Sequence, residues 1–347
     1  MLYSYPFIRK SYMKLVIQIP AYNEADSIAE TVKALPETVW GFSEVECLVI
    51  DDGSVDDTAK IASDSGAHHV LSLGANMGLA RAFSAGIECS LKLGADVIVN
   101  TDADNQYCAE DIITLVRPIL NGRTQIVVGA RPISEIDEFS VVKKILQKFG
   151  SWVVRKASDT RVEDAPSGFR AYSRNAAAQL HVVNNYTYTL ETIIQAGRKR
   201  IPISSVPVRV NIVTRPSRLF SSIGEYVFRS MVTILRIYVL YKPLKFFFSI
   251  SSLVALPAFI GISRFIVEYA LGDGAGHVQS LVLSGGLLAI ASVIFAVGII
   301  ADLIAANRGL LEDIRARELL RESGLPHKDD LVLSGHVSTF ESVKIAR

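Results

Sequence analysis

The chain has 347 residues, 50% of them hydrophobic and 20% charged, with a formal net charge of +1 and a mean hydropathy of +0.31. A bulk charge this close to neutral argues against a general polyanion binder, so no nucleic-acid partner is expected, and the length suits about two domains. Three cysteines (Cys47, Cys89 and Cys108) show no CxxC or Cys/His ligand spacing, which argues against zinc and suits a reducing compartment.

Residues 1–13 read as a lead without a signal-peptide pattern, because no apolar run follows Arg9 and Lys10. From Lys14 onward, strand-like and helix-like runs alternate. Leu15 to Ile19 reads as a buried strand, Asp26 to Leu35 as a helix, Val45 to Ile50 as a strand and Asp56 to Ser65 as a helix. His69 to Leu73 is a short strand, and Leu79 to Leu93 is a helix stopped by Gly94. Asp96 to Thr101 is a strand, Asp111 to Asn121 a helix stopped by Gly122, and Gln125 to Gly129 a strand. This order predicts an α/β catalytic domain over residues 14–220, with a mainly parallel sheet covered by helices on both faces. Ligands of such sheets bind beyond the carboxyl ends of the strands.

The last third differs. Two apolar runs, about 244–270 and 278–306, each exceed the roughly 20 residues that span a bilayer. Arg229, Arg236, Lys242 and Lys245 precede the first run, and Arg308, Arg315, Arg317 and Arg321 come after the second. The short connection, Gly272 to His277, has neither Lys nor Arg. The positive-inside rule then places the catalytic domain and both termini in the cytoplasm, in an integral protein of the cell inner membrane or endoplasmic reticulum. Residues 221–243 read as an interfacial amphipathic helix, and 307–347 as a cytoplasmic tail that begins as a charged helix. Gly285-Gly286 in the second span would allow close helix contact and a homo-oligomer.

Three polar motifs each stand directly after a strand. In Ile19-Pro20-Ala21-Tyr22-Asn23-Glu24, an aromatic face and a carboxylate project from a loop at the sheet edge, suited to a nucleobase. In Asp51-Asp52-Gly53-Ser54, two carboxylates precede a glycine turn. Taken alone, each also reads as an ordinary turn or helix start. Thr101-Asp102-Ala103-Asp104-Asn105-Gln106 is more specific: on extended backbone Asp102 and Asp104 share a face, and hard oxygen ligands suit Mg²⁺ or Mn²⁺.

In this order the motifs resemble glycosyltransferase family 2, and Asp164-Ala165-Pro166-Ser167-Gly168-Phe169-Arg170 is similar to the D-x-x-S-G-F motif of its polyprenyl-phosphate members, the dolichol-phosphate mannose synthase-like enzymes. The resemblance covers roughly Lys14 to Leu219. It implies a glycosyltransferase A-type, Rossmann-like sheet with a two-helix transmembrane anchor after it. It further implies transfer of one sugar from a UDP- or GDP-linked donor to a polyprenyl or dolichyl phosphate at the bilayer, with Mg²⁺ or Mn²⁺ as cofactor. By motif, Pro20, Tyr22, Glu24 and Asp52 would hold the nucleoside, and Asp102 and Ala103 the nucleotide sugar. Asp104 and Gln106 would hold the metal, and Asp104 and Arg131 would be catalytic. Arg131, Lys143, Ser167 and Arg170 would meet the acceptor phosphate. The family's closing R-x-x-G-x-S-K is replaced by Thr214-Arg215-Pro216-Ser217-Arg218-Leu219, so Arg215 and Arg218 are expected on the diphosphate.

The residues suit that chemistry. A lipid phosphate with a second pKa of about 6 is already largely dianionic near neutral pH, so it needs cations more than a general base. Arg131, Lys143, Arg170, Arg215 and Arg218 lie among the motifs, and no histidine does. A single in-line displacement with inversion is expected. A processive polysaccharide synthase is disfavoured, because Trp152 comes after Ser151 and no Q-x-x-R-W motif is present. The alternative is a family 2 enzyme acting on a saccharide or protein hydroxyl, for which Glu191 would be the base. A catalytically dead nucleotide-sugar binder is opposed by the intact Asp102 and Asp104.

Overall fold

A computed structural model of the chain describes residues 13–132, 151–182 except 153, 156 and 157, 188–211, 238–272 and 278–322, together with Val232, Leu235 and Arg236. The chain divides into two compact units, Met1–Val227 with Glu312–Arg347, and Phe228–Leu311.

The first unit is built on one seven-stranded sheet, in the order β3-β2-β1-β4-β6-β5-β7. Its strands are β1 (Lys14–Ala21), β2 (Glu44–Asp51), β3 (His69–Ser72), β4 (Val97–Asn100), β5 (Ile126–Ala130), β6 (Arg170–Ser173) and β7 (Ile203–Pro207). The connecting helices are α1 (Ile28–Ala34), α2 (Thr58–Asp64), α3 (Leu79–Lys92), α4 (Ile112–Leu120), α5 (Arg174–Gln179) and α6 (Thr189–Arg198). The central strands are runs of Val, Ile and Leu covered on both faces, as parallel strands under helices must be; all of β1 after Lys14 is buried. α3 lies very close to the sheet at Gly86, where a Cβ would sit 2.6 Å from Gln18 Oε1 and 2.8 Å from Ile50 Cδ1.

Two features of this sheet place the site. β1 pairs in parallel with β2 on one side and with β4 on the other, so the strand order reverses between β1 and β4 and opens a crevice at their carboxyl ends. β6 then runs antiparallel between β4 and β5, with Asn100 opposite Arg170. That reversal brings the chain before β6, residues 164–169, back to the same edge as the β1 and β4 loops. The alternating pattern in the sequence anticipates the parallel strands well, and it gives no sign of the short antiparallel β6.

The second unit contains α7 (Pro243–Ala270) and the larger part of α8 (Val278–Glu322). Both are long and apolar enough to cross a membrane, with mean hydropathies of 1.9 and 2.6 over their most apolar stretches. They pack through small residues: Ser251 Oγ donates to Ala291 O (2.8 Å), and Ala258, Ser284 and Ala291 are buried. A Cβ on Gly298 would sit 2.7 Å from Phe247 Cβ. Ser284, Ala291 and Gly298 recur at seven-residue intervals and form one seam of α8. Gly285 and Gly286 are not on it; a Cβ at either would meet nothing within 4 Å.

α8 is one helix through Glu322, whereas the hydrophobic pattern of the sequence ends the span near 306 and suggests a separate tail beyond it. Its last turns, Glu312–Glu322, belong to the first unit. Leu319 and Leu320 join the core formed by Phe83, Ile87 and Tyr188, and Glu312 pairs with Lys199 at 3.0 Å. Of the expected interfacial helix, only Val232, Leu235, Arg236 and the residues from Tyr238 on are described, and these are helical except Lys242, where the backbone bends before α7.

Candidate active site

The loops after β1 and β2 are tied into one platform. Asn23 adopts a φ of 54°; its amide donates to Ser54 Oγ and its side-chain oxygen accepts from the Val55 amide, both at 2.9 Å. Glu24 N donates to Thr58 Oγ1 (2.9 Å) and Ala25 N to Asp56 Oδ2 (3.2 Å). Pro20 is still in β1, opposite Ile50, while Tyr22 beyond it is 41% exposed. The Glu24 carboxylate accepts from Ser27 Oγ (2.9 Å).

Asp51 and Asp52 are buried and serve the backbone. Asp51 accepts from Ser54 N (3.0 Å) and Ser72 Oγ (3.1 Å). Asp52 accepts from Met77 N and Gly78 N, one on each oxygen, both at 2.8 Å. Asp52 therefore clamps the loop that leads into α3. Gly53, at φ 72°, allows that loop to approach, since a Cβ there would lie 2.6 Å from Ala75 Cα. The motif that suggests a nucleoside contact thus also builds the wall beside it.

β4 ends at Asn100, and Ala103-Asp104 form a turn before Asn105, which has a φ of 53°. The extended-strand argument for Asp102 and Asp104 therefore does not carry past Asn100: Ala103 is buried, with its carbonyl accepting from Thr31 Oγ1 (2.9 Å), while Asp104 is exposed. The turn still keeps their charges close. Burial raises the Asp102 carboxyl to about 7, with Asp104 and Glu24 pushing the same way and Arg131 and Arg170 opposing. Glu24, Asp102, Asp104, Arg131 and Arg170 thus share one electrostatic site at the β1/β4 crevice. Asp104 Oδ1 accepts from Gln106 N (3.1 Å). Asn211 secures the same loop: its amide donates to Gln106 O (2.8 Å), and its side chain donates to Asn105 O (2.8 Å) and Tyr107 O (3.3 Å).

The segment before β6 is pinned from every side. Asp164 takes Arg131 in a bidentate pair (Nε to Oδ2 2.7 Å, NH2 to Oδ1 3.1 Å), with both side chains almost fully buried. Burial works against the Arg131 charge, but Tyr107, Asp164 and Asp102 more than offset it and raise its pKa. Arg170 is completely buried and donates only to neutral acceptors: Ser167 O, Ala165 O and Thr192 Oγ1 at 2.7 Å, and Thr189 O at 2.8 Å. The arginine that the motif suggests for an acceptor phosphate is here the scaffold of its own turn. Ser167 is also fully buried. Lys143, Arg215 and Arg218 lie outside the described residues.

Among the described residues, no group of three or more His, Cys, Asp or Glu side chains is arranged to hold a metal ion. The neighbouring Asp102 and Asp104 offer hard oxygen donors whose mutual repulsion a divalent cation would relieve. Such a pair fits Mg²⁺ or Mn²⁺, which complete their shells with substrate phosphates and water.

Residues 16–180 match the family model for glycosyl transferase family 2. The segment is a glycosyl transferase family 2 domain. The protein is accordingly a glycosyltransferase. Relatives of the chain include the UDP-N-acetylglucosamine--dolichyl-phosphate N-acetylglucosaminyltransferase of Methanococcus voltae, 29% identical over 55% of this chain and 83% of that one. The undecaprenyl-phosphate mannosyltransferase of Micrococcus luteus is 27% identical over 65% of this chain and 93% of its own. Among solved structures, glucosyl-3-phosphoglycerate synthase from Mycobacterium tuberculosis, in complex with Mn²⁺, UDP-glucose and phosphoglyceric acid, superposes with a TM-score of 0.53 at 21% identity, over 65% of this chain and 80% of that one. That likeness supports the glycosyltransferase A-type fold of this family 2 domain.

Sequence reasoning did not single out Asn100, Tyr188 or Asn211, and it names Asp164 only as the first residue of the D-x-x-S-G-F-like motif, with no role of its own. Asn100 had a signal, as the polar end of an otherwise apolar strand. The other three act through contacts between residues far apart in sequence.

Proposed function

We propose that this enzyme transfers a single sugar from a UDP- or GDP-linked donor to a polyprenyl or dolichyl phosphate at the cytoplasmic membrane face, with inversion and with Mg²⁺ or Mn²⁺. The observation that carries the reading is the meeting of Glu24, Asp102, Asp104, Arg131 and Arg170 at the switch point between β1 and β4. The names of the Methanococcus and Micrococcus relatives support a lipid-phosphate acceptor, and the two long apolar helices support a site held at a bilayer.

In this reading the platform of Tyr22 and Glu24, walled by the loop that Asp52 clamps, receives the nucleoside. Asp104 and its neighbour Asp102 would hold the cation, which supplies charge stabilisation for the departing diphosphate when bound. Arg131 keeps its charge at the acceptor side, fixed in orientation by Asp164, so an anionic head group meets a cation that does not need to reorganise. Glu191, the base that a hydroxyl acceptor would need, is buried in α6 with Gln195 Nε2 donating to it at 3.3 Å, which favours the phosphate acceptor.

The test incubates purified protein with Mn²⁺, a short polyprenyl phosphate and a panel of UDP- and GDP-sugars, and reads glycolipid by mass spectrometry. A lipid-linked monosaccharide from one donor, absent with Asp104→Ala, is the expected result. Donor consumption that requires a saccharide or peptide instead would overturn the acceptor assignment.

A further inference from the structure

Beneath the Asp102 carboxylate lies a buried polar chain that crosses three elements. Gln18 on β1 and Asn100 on β4 are paired in register, and both are fully buried. Gln18 Nε2 donates to Asn100 Oδ1 (2.9 Å). Asn100 Nδ2 spends both hydrogens, one on Gly168 O (2.9 Å) and one on Tyr188 Oη (2.8 Å). Tyr188 Oη in turn donates to Gly168 O (3.3 Å), and Gly168 N donates to Tyr107 Oη (3.2 Å). Both backbone groups of Gly168 are therefore held by side chains from outside its own turn.

Gly168 is held there for a purpose that its surroundings identify. A Cβ on it would lie 2.7 Å from Asp102 Oδ1, 3.0 Å from Asp102 Oδ2 and 3.0 Å from Tyr188 Oη. The bare Cα face of Gly168 is thus the surface against which the Asp102 carboxylate rests, and the Tyr188 hydroxyl borders the same spot. The Tyr188 ring is fixed independently, stacked on Phe83 at 3.9 Å between centroids and 3° between planes. It has a rigid mount and one polar atom, and that atom faces the glycine.

We propose that Tyr188 and Asn100 are positioning residues for Asp102, acting through Gly168. They fix the height of the turn against which the carboxylate packs, and so set where Asp102 meets the nucleotide sugar. The inference rests on the reading of Asp102 as a donor-side residue.

Tyr188→Phe removes the hydroxyl and keeps the ring stack, so the fold should survive. Gly168→Ala leaves every hydrogen-bonding group of the network in place and drives a Cβ chiefly against the carboxylate, with the Tyr188 hydroxyl next, so the two variants perturb the same contact from opposite sides. The full-length protein in detergent is assayed for thermal midpoint, for binding of UDP and GDP with Mn²⁺ by calorimetry, and for KM of donor and of polyprenyl phosphate separately. Tyr188→Phe should lower the midpoint by only about 2–4 °C, since Asn100 Nδ2 loses one acceptor, and should weaken nucleotide binding and donor KM about ten-fold, the scale of one buried hydrogen bond. Gly168→Ala should weaken donor binding further, and the acceptor KM should stay unchanged in both. Wild-type nucleotide affinity in both variants would overturn the proposal, as would a lowered midpoint without any change in donor KM. If wild type binds nucleotide but makes no glycolipid, the acceptor reading falls while the calorimetric comparison still decides this one. If wild type binds neither nucleotide with Mn²⁺, the donor reading and this proposal fall together.

Discussion

At Gly168 the chain has room for a hydrogen and nothing larger, and the atom that claims the space is a carboxylate oxygen. Residue-scale behaviour around it is set by burial. The Asp102 carboxyl sits at about 7 in the fold, against about 4 in an unfolded chain, because burial and the Asp104 charge disfavour its ionised form. The folded state therefore holds a proton more firmly than the unfolded state. The stability this contributes is complete below about pH 4 and is lost as pH rises through about 7. The thermal midpoint of the ligand-free protein should fall between pH 5 and 8, and Asp102→Asn should flatten that slope in thermal-shift scans. Cys47 offers a second residue-scale test. Burial pushes its thiol up to about 12. In the native protein it should remain unmodified by maleimide at pH 8 and react only after denaturation, as read by mass spectrometry.

At the scale of elements, the three polar motifs stand at strand ends in the sequence and in the structure alike, because a run of Val, Ile and Leu that gives way to polar residues marks the strand and its stop to within a residue or two; Pro20 itself is still paired inside β1. β6 was not legible. It is four residues long, begins with Arg170, and is a strand only because β4 and β5 flank it. The role of Asp52 was equally hidden, since the Met77 and Gly78 amides it binds lie 25 and 26 residues away. The end of α8 reads in the sequence as the charged start of a tail, and in the structure Leu319 and Leu320 lie in the core of the first unit. Leu320→Ala should cost about 2–4 kcal/mol in denaturant unfolding of detergent-solubilised protein, the range for deleting a buried leucine side chain. A loss below about 0.5 kcal/mol would place that side chain outside the core. Asn211 offers an element-scale test of the loop that carries Asp104. Asn211→Ala removes the donor to Asn105 O and Tyr107 O, so the Mn²⁺ concentration for half-maximal nucleotide binding should rise several-fold in calorimetric titrations.

For the whole molecule, composition alone separates an α/β stretch from a long apolar one, and the chain forms two compact units, with Glu312 onward grouped with the first. The basic residues before α7 and after the apolar part of α8 lead to the expectation that both ends of the helical pair face the cytoplasm. A fluorescent reporter fused after Arg347 should fold and emit, and alkaline phosphatase inserted at Gly274 should be active outside. The opposite pattern would invert the orientation. Which sugar is transferred is not written in composition or in strand pattern, because the side chains that would read it stand on loops whose shape depends on distant partners.

The burial of Arg170 also bears on how an inactive form of this enzyme is best made. Its guanidinium donates to neutral acceptors, and its charge acts on the Asp102 carboxyl. Replacing Asp102 by a neutral residue would remove a carboxyl whose ionisation is coupled to Arg131 and Arg170, so the variant would no longer be the same host. Asp104 stands in solvent on the other side of the turn. A trapping variant intended to capture both substrates intact should therefore be built at exposed Asp104, where Arg131 and Arg170 keep every hydrogen-bond partner and the loss of one negative charge only eases the ionisation of Asp102.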